Sequence, residues 1–436
     1  MAGLILLTSM RFQQGRFQRG LLLVATMQLF FVRFSHAEEA LLGIQGAPGQ
    51  TDPSSSFSRD ETFDQEGHDI GPGRLIPGMK LKLLYTDNVT RTDTGTTDSF
   101  GTVVSPRVAY IISDYTKNFI IDYTIEQGLY ISSTDDNYLD HYIRSGFSYQ
   151  PTARIFSEIN ADLKFVHDAR GTGRAEAVGA VTQDSIDKWH QWGLNGRFAY
   201  GRPNAIGRLE LEADYFQKRY DTNRAFTASR DRDALSGQAR FNYRVRPKTF
   251  LSIEGKATDN SYKFIPAGTA SLDSIDTTYL AGVRWEATFK TTGFAKIGYN
   301  FKNFESDQRN DTSGLAWEMG VDWRPKTYST VRLETSQRFD ETNGTGDAID
   351  QTFYLVNWEH FWLPRFSTRM NAGYQNQTFD PTTREDDFYN VGISANYDFR
   401  RWLAVSASYD YSILNSNVNT FDYQENRFEL TFEAEF

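Results

Sequence analysis

From Met79 to Phe436 apolar and polar residues alternate in segment after segment, and that period of two constrains the fold more than any other feature. In the last ten residues, Phe428, Leu430, Phe432, Ala434 and Phe436 fall on one side of an extended strand. Arg427, Glu429, Thr431, Glu433 and Glu435 fall on the other, because successive strand side chains point to opposite faces. Upstream, Met79, Leu81, Leu83 and Tyr85 interleave with Lys80, Lys82 and Thr86. Ile121, Tyr123 and Ile125 interleave with Asp122, Thr124 and Glu126, and Leu209, Leu211, Ala213 and Tyr215 with Arg208, Glu210, Glu212 and Asp214. Counting all such segments predicts about 18 strands of roughly 10–14 residues, the length of a tilted membrane-crossing strand.

The connections fall into two alternating classes. Short ones carry turn chemistry: Gln150-Pro-Thr-Ala153, Arg202-Pro-Asn-Ala205, Arg246-Pro-Lys-Thr249, Arg324-Pro-Lys-Thr327 and Leu363-Pro-Arg365. Proline fixes φ for the second position of a tight turn, so each reads as a hairpin end. The others, 168–188, 220–232, 259–275, 304–313, 339–350 and 377–387, are long, polar and irregular. Short turns on one side and long loops on the other predict an all-β fold: a transmembrane antiparallel β-barrel with short periplasmic turns and long extracellular loops. Tyr149, Tyr200, Phe250, Phe289, Trp323, Tyr328, Trp362, Phe366, Phe399 and Trp402 cluster beside the short turns. Amphipathic rings prefer the headgroup level, so these predict a periplasmic aromatic girdle. An open strand edge in hydrocarbon costs several kcal/mol per backbone group, so the last strand must pair with the first, near Met79–Asn88.

Composition agrees. Aromatics reach 15% of the chain while mean hydropathy is −0.54, a combination that suits strands with only alternate residues in lipid. There is no cysteine, which excludes disulfides, thiolate metal sites and cysteine nucleophiles.

Three regions follow. Residues 1–37 read as a signal peptide, with Arg11, Arg16 and Arg19 as the basic start, Leu21 to Val32 as the apolar core and Ser35-His36-Ala37 at the cleavage site. Residues 38–76, rich in Gly, Pro, Ser and Asp, read as a flexible periplasmic lead or a plug, and 77–436 as the barrel. The signal segment carries four Arg and no acid, so its loss takes the net charge from −10 to about −14. Such an acidic chain argues against nucleic-acid binding.

The polar face of the strands is the expected pore lining. Its basic members are Arg107, Arg144, Arg197, Arg240, Arg244, Arg284, Lys296, Arg332 and Arg369. Its acidic members are Glu126, Glu158, Asp162, Glu210, Glu212, Glu254, Glu286, Glu318, Asp322 and Glu334. Each alone stiffens and solvates the wall; together they would tune which solutes pass. Catalysis finds no support. His141, His167, His190 and His360 are scattered without metal-ligand spacing, and the adjacent His167 and Asp168 would point to opposite faces. The acidic runs Asp135-Asp136, Glu305 to Asp311 and Glu385 to Asp387 lack calcium-loop spacing and read as solvated surface. The expectation is a non-enzyme without cofactor or bound metal.

A terminal strand ending in phenylalanine resembles the assembly signal of bacterial outer-membrane barrels, which marks Phe436 as the contact for barrel-assembly machinery. Gly78-Met-Lys-Leu-Lys-Leu-Leu-Tyr-Thr-Asp-Asn88, then Ser105-Pro106 and Val108-Ala-Tyr110, resemble the opening of the putative β-barrel porin 2 family, as do the Pro-centred turns. The resemblance runs from about Met79 to Phe436 and implies a channel in the bacterial outer membrane, among lipid and lipopolysaccharide. Members are often encoded with exopolysaccharide or capsule machinery, so it further implies polysaccharide export and contact with export components. A general or sugar-selective diffusion porin, and a non-conducting structural or adhesive barrel, are the alternatives.

Overall fold

The computed structural model describes residues 67–172, 185–288 and 290–436. The chain divides into two units, Met1–Asp52 and Pro53–Phe436, and every described residue belongs to the second. The expected signal peptide, and the lead as far as residue 66, lie outside the described residues.

A short strand, β1 (His68–Ile70), turns into β2 (Gly73–Thr86). There follow β3 (Ser99–Ser113), β4 (Lys117–Tyr130), β5 (Tyr138–Thr152), β6 (Ile155–Asp168), β7 (Asp187–Tyr200) and β8 (Gly207–Tyr220). The middle of the barrel is β9 (Arg232–Arg246), β10 (Thr249–Tyr262), β11 (Ser274–Thr288), β12 (Thr291–Phe304), β13 (Thr312–Lys326) and β14 (Ser329–Glu341). It ends with β15 (Ala348–Leu363), β16 (Phe366–Asp380), β17 (Glu385–Arg400), β18 (Leu403–Ser416) and β19 (Tyr423–Glu435).

Each strand from β2 to β19 pairs antiparallel with its sequence neighbours, and β19 pairs with β2, so eighteen strands close into a barrel. The closing ladder runs from Arg427↔Thr86 to Glu435↔Gly78, with Phe428 opposite Tyr85 and Leu430 opposite Leu83. Phe436 adds a last rung: its N–H donates to the Pro77 carbonyl at 2.9 Å, and its ring stacks on Trp402. No helix among the described residues is long and apolar enough to cross a membrane; the strands do so.

The faces divide as the alternation requires. Met79, Leu83, Ile121, Leu211, Ile253, Ile297, Leu333, Val391 and Phe428 are exposed, along one face of the sheet. Such apolar rows are stable outside a barrel only in lipid. The other face carries buried or half-buried polar residues, among them Lys80, Asp122, Glu126, Asn242, Lys296 and Glu334.

The barrel strands run 13–16 residues, longer than the apolar pattern alone indicates. Segment 377–387 is mostly strand, with only 381–384 between β16 and β17. A ladder needs backbone groups alone, so pairing continues past the point where outer residues stop being apolar. The first barrel strand likewise begins at Gly73, where Arg74↔Ile111 and Ile76↔Ala109 already pair.

Around the short turns, Tyr149, Tyr200, Trp323, Tyr328, Trp362, Phe399 and Trp402 are exposed, as a girdle requires. Phe250 does not belong to it. It shares the inner parity of Ser252 and Glu254 and is fully buried beneath the Arg284 guanidinium, 4.5 Å from its ring centre. Phe289 lies outside the described residues.

Candidate functional site

The inner wall is where the chain's chemistry collects. Ladder register puts Arg107 (β3), Glu126 (β4), Arg144 (β5), Glu158 and Asp162 (β6), and Arg197 (β7) on the face opposite the exposed apolar rows. Glu210 and Glu212 (β8), Arg240 and Arg244 (β9), Glu254 (β10), Arg284 and Glu286 (β11) and Lys296 (β12) share it. So do Glu318 and Asp322 (β13), Arg332 and Glu334 (β14) and Arg369 (β16).

These charges are knitted together. On β8 to β13 they form a belt: Arg208 donates to Glu210 at 2.7 Å, and Arg240 lies between Glu210 at 3.4 Å and Glu254 at 2.7 Å. Lys296 lies between Glu254 at 3.1 Å and Glu318 at 2.7 Å. To reach Glu254 on β10, Lys296 must cross β11, and Gly282 makes room for it. A Cβ there would sit 2.6 Å from the Lys296 Cγ and 2.4 Å from the Ala295 carbonyl oxygen. Arg332 continues the sequence with Asp322 at 2.8 Å, and Arg369 bonds Glu359 at 2.7 Å. Near the closure Arg107 bonds Asp122 and Glu435, the latter at 3.1 Å. Register places Arg144 between Asp122 and Asp162, and Arg197 between Glu158 and Glu212. Cations also cover inner aromatics, with the Lys218 ammonium 3.7 Å from the Trp189 ring centre and the Arg232 guanidinium 5.2 Å from that of Phe216.

Three buried clusters at the extracellular end lie in segments that read as loops, or on residues outside the expected pore lining. Glu341 accepts from Lys302 Nζ at 2.5 Å, from Asn260 Nδ2 at 3.0 Å and from the Tyr262 hydroxyl, with Arg232 at 3.6 Å. Lys302 also reaches Asp276 at 3.1 Å. Arg91, in the β2–β3 loop, donates to Glu425 at 2.9 Å, and Arg427 meets the same carboxylate at 2.9 Å. Arg384 donates to Asp386 at 3.0 Å while its guanidinium lies over Phe379 and Phe421.

The histidines take structural partners. His167 bonds Asp140 at 3.0 Å and stacks on Tyr138, while Asp168 accepts from Trp189 Nε1 and the Tyr220 hydroxyl. His141 bonds the Tyr123 hydroxyl, His190 bonds Asp221, and His360 packs among Tyr328, Trp358 and Trp362. Among the described residues no group of three or more His, Asp or Glu could hold a metal ion. Several acids of the acidic runs have local partners: Asp136 with Ser133 and Arg170, Asp311 with the Phe304 N–H, Asp387 with the Tyr374 hydroxyl.

No curated protein matches the sequence. Among solved structures, OccK1 (OpdK) of Pseudomonas aeruginosa is similar with 11% identity and a TM-score of 0.49, covering 83% of this chain and 99% of its own. OccK2 (OpdF) of Pseudomonas aeruginosa, solved with glucuronate, has 10% identity and a TM-score of 0.47 over 84% of this chain and 98% of its own. The siderophore receptor PirA of Acinetobacter baumannii has 6% identity and a TM-score of 0.45, covering 83% and 80%. The sequence profile of the putative beta-barrel porin 2 family matches residues 61–436. With that match, the closed eighteen-strand barrel and its outward apolar rows, the chain belongs to the putative beta-barrel porin 2 family and is a porin of the bacterial outer membrane.

Proposed function

We propose that this porin is a diffusion channel for small hydrophilic solutes, with the charges of the inner wall setting its selectivity. The observation that carries this reading is the ion-paired belt, in which Arg240 and Lys296 each lie between two carboxylates. A wall of this kind offers fixed charges of both signs to a hydrated solute. Among the described residues, the inner aromatics named above are buried or half-buried beneath cations, so they offer no bare row on which sugar rings could stack.

Passage of a polysaccharide is the second reading, and one observation favours it. On β15 to β18 the inner face carries, besides the Glu359–Arg369 pair and Asp410, a set of amides and hydroxyls: Asn357, Asn371, Asn390, Ser394, Asn396, Ser406 and Ser408. Asn371 already donates to Asn390 at 2.8 Å, a spacing that neighbouring sugar hydroxyls could exploit.

Recording purified protein in a planar bilayer separates the two. The diffusion reading expects steady conductance and no resolved blocking events when neutral oligosaccharides are added. Long blocking events would move the assignment to polysaccharide passage. No conductance at all would remove both and leave a structural or adhesive barrel.

A further inference from the structure

The ladder between β13 and β14 stops early. Its last extracellular rung is Trp317↔Gln337, yet β13 stays paired with β12 as far as Thr312, and β14 stays paired with β15 as far as Glu341. Above that rung the two strands have parted. The end of β14 has turned inward, as two side chains record. Phe339 and Glu341 have the parity of Val331 and Leu333, which face lipid, so in a continuous ladder both would point outward. Instead the Phe339 ring lies against the inner side of β13, where a Cβ on Gly314 would be 3.2 Å from its Cζ. Glu341 reaches Asn260 and Tyr262 on β10 and Lys302 on β12, all on the inner face. The turn beyond it, 342–347, is held from the same direction: Arg309 bonds Asp347 and the carbonyls of Ala270 and Ser271.

The strand has a second position open to it. Continuing the register of Trp317↔Gln337 would set Ala316 opposite Arg338, Leu315 opposite Phe339 and Gly314 opposite Asp340. Phe339 would then join the lipid-facing row beside Leu315, which is 56% exposed. The inward position trades these rungs for the Glu341 network; the wall position trades the network for rungs and lipid contact. Two packings of one segment, each with its own set of satisfied groups, are the raw material of a switch.

We propose that the extracellular end of β14 with residues 342–347 is a gate. Latched by Glu341, it lies across the inner wall and narrows the mouth; zipped onto β13, it clears the lumen.

The chain has no cysteine, so engineered pairs report without background. In the pair Gly314→Cys with Asp340→Cys, the two residues face each other only in the wall position. In the pair Asn260→Cys with Glu341→Cys, they meet only in the inward one. Both should form disulfides in folded, heat-modifiable protein in vesicles. Oxidation of the first should raise single-channel conductance by about twofold and oxidation of the second should hold it at or below the unmodified value, both reversed by reductant. Glu341→Gln, which weakens the latch without a crosslink, should raise the time spent in the larger conductance. Failure of the first pair to crosslink in folded barrels would overturn the proposal, whatever the conductance. So would a crosslink that leaves conductance unchanged in protein that conducts.

Discussion

Lys296 shows how much one inner residue carries. It lies over Gly282 and neutralises Glu254 and Glu318, one on each side of it, while almost wholly buried. Lys296→Met keeps most of the stem but leaves two carboxylates facing a gap, which should cost about 1–3 kcal/mol as acceptors lose a charged donor. The loss of one positive charge beside two negative ones should also shift the reversal potential toward cation selectivity in a salt gradient. Urea unfolding in vesicles reads the first effect and bilayer recording the second. An unchanged reversal potential would place Lys296 off the conduction path. The inner residues named from the sequence owe their placement to parity alone, but their partners are another matter. Nothing in the string shows that Lys296 skips a strand, or that His167 answers to Asp140 across a hairpin instead of the adjacent Asp168.

At the scale of the strand, the two faces make opposite demands. Leu430 and Ser406 lie on neighbouring strands β19 and β18 at similar height, Leu430 paired with Ala407 and Ser406 with Thr431. Leu430→Arg puts a charge into hydrocarbon and should destabilise the barrel by about 2–4 kcal/mol, while Ser406→Arg on the wet face should cost far less. Denaturant midpoints in lipid vesicles check the difference, and equal losses would contradict the assignment of faces. The strands were legible because lipid enforces alternation and proline marks the short turns. Their outer ends were not, since alternation fades above the lipid while the backbone ladder runs on, as at 377–380. The Glu341 latch was hidden more deeply. Parity puts Glu341 on the wrong side, and its partners on β9, β10 and β12 come from segments far away in sequence.

At the scale of the whole molecule, every barrel ladder among the described residues but one joins neighbours in sequence: each strand pairs with the one before it and the one after. The exception is the closure of β19 on β2, where Asn426 hydrogen-bonds Asp87 across 339 residues of chain. Closing a free loop of that length would cost about 5 kcal/mol of chain entropy, a sum that hairpins formed beforehand reduce. Seventeen of the eighteen junctions can therefore form in any order and quickly, while one must wait for the rest. Closure at this seam becomes the step that sets the pace of assembly. Deleting Phe436, which removes the final rung to Pro77 and the stack on Trp402, should slow the appearance of the heat-modifiable form in a vesicle refolding time course several-fold. Unaltered kinetics would show that closure is not limiting. Until that last strand docks, every partly assembled barrel exposes two open edges, β2 and whichever strand was added last, and is a substrate for proteases and for pairing with another copy. The time a nascent barrel spends ajar is thus governed by its final fourteen residues, Tyr423 to Phe436.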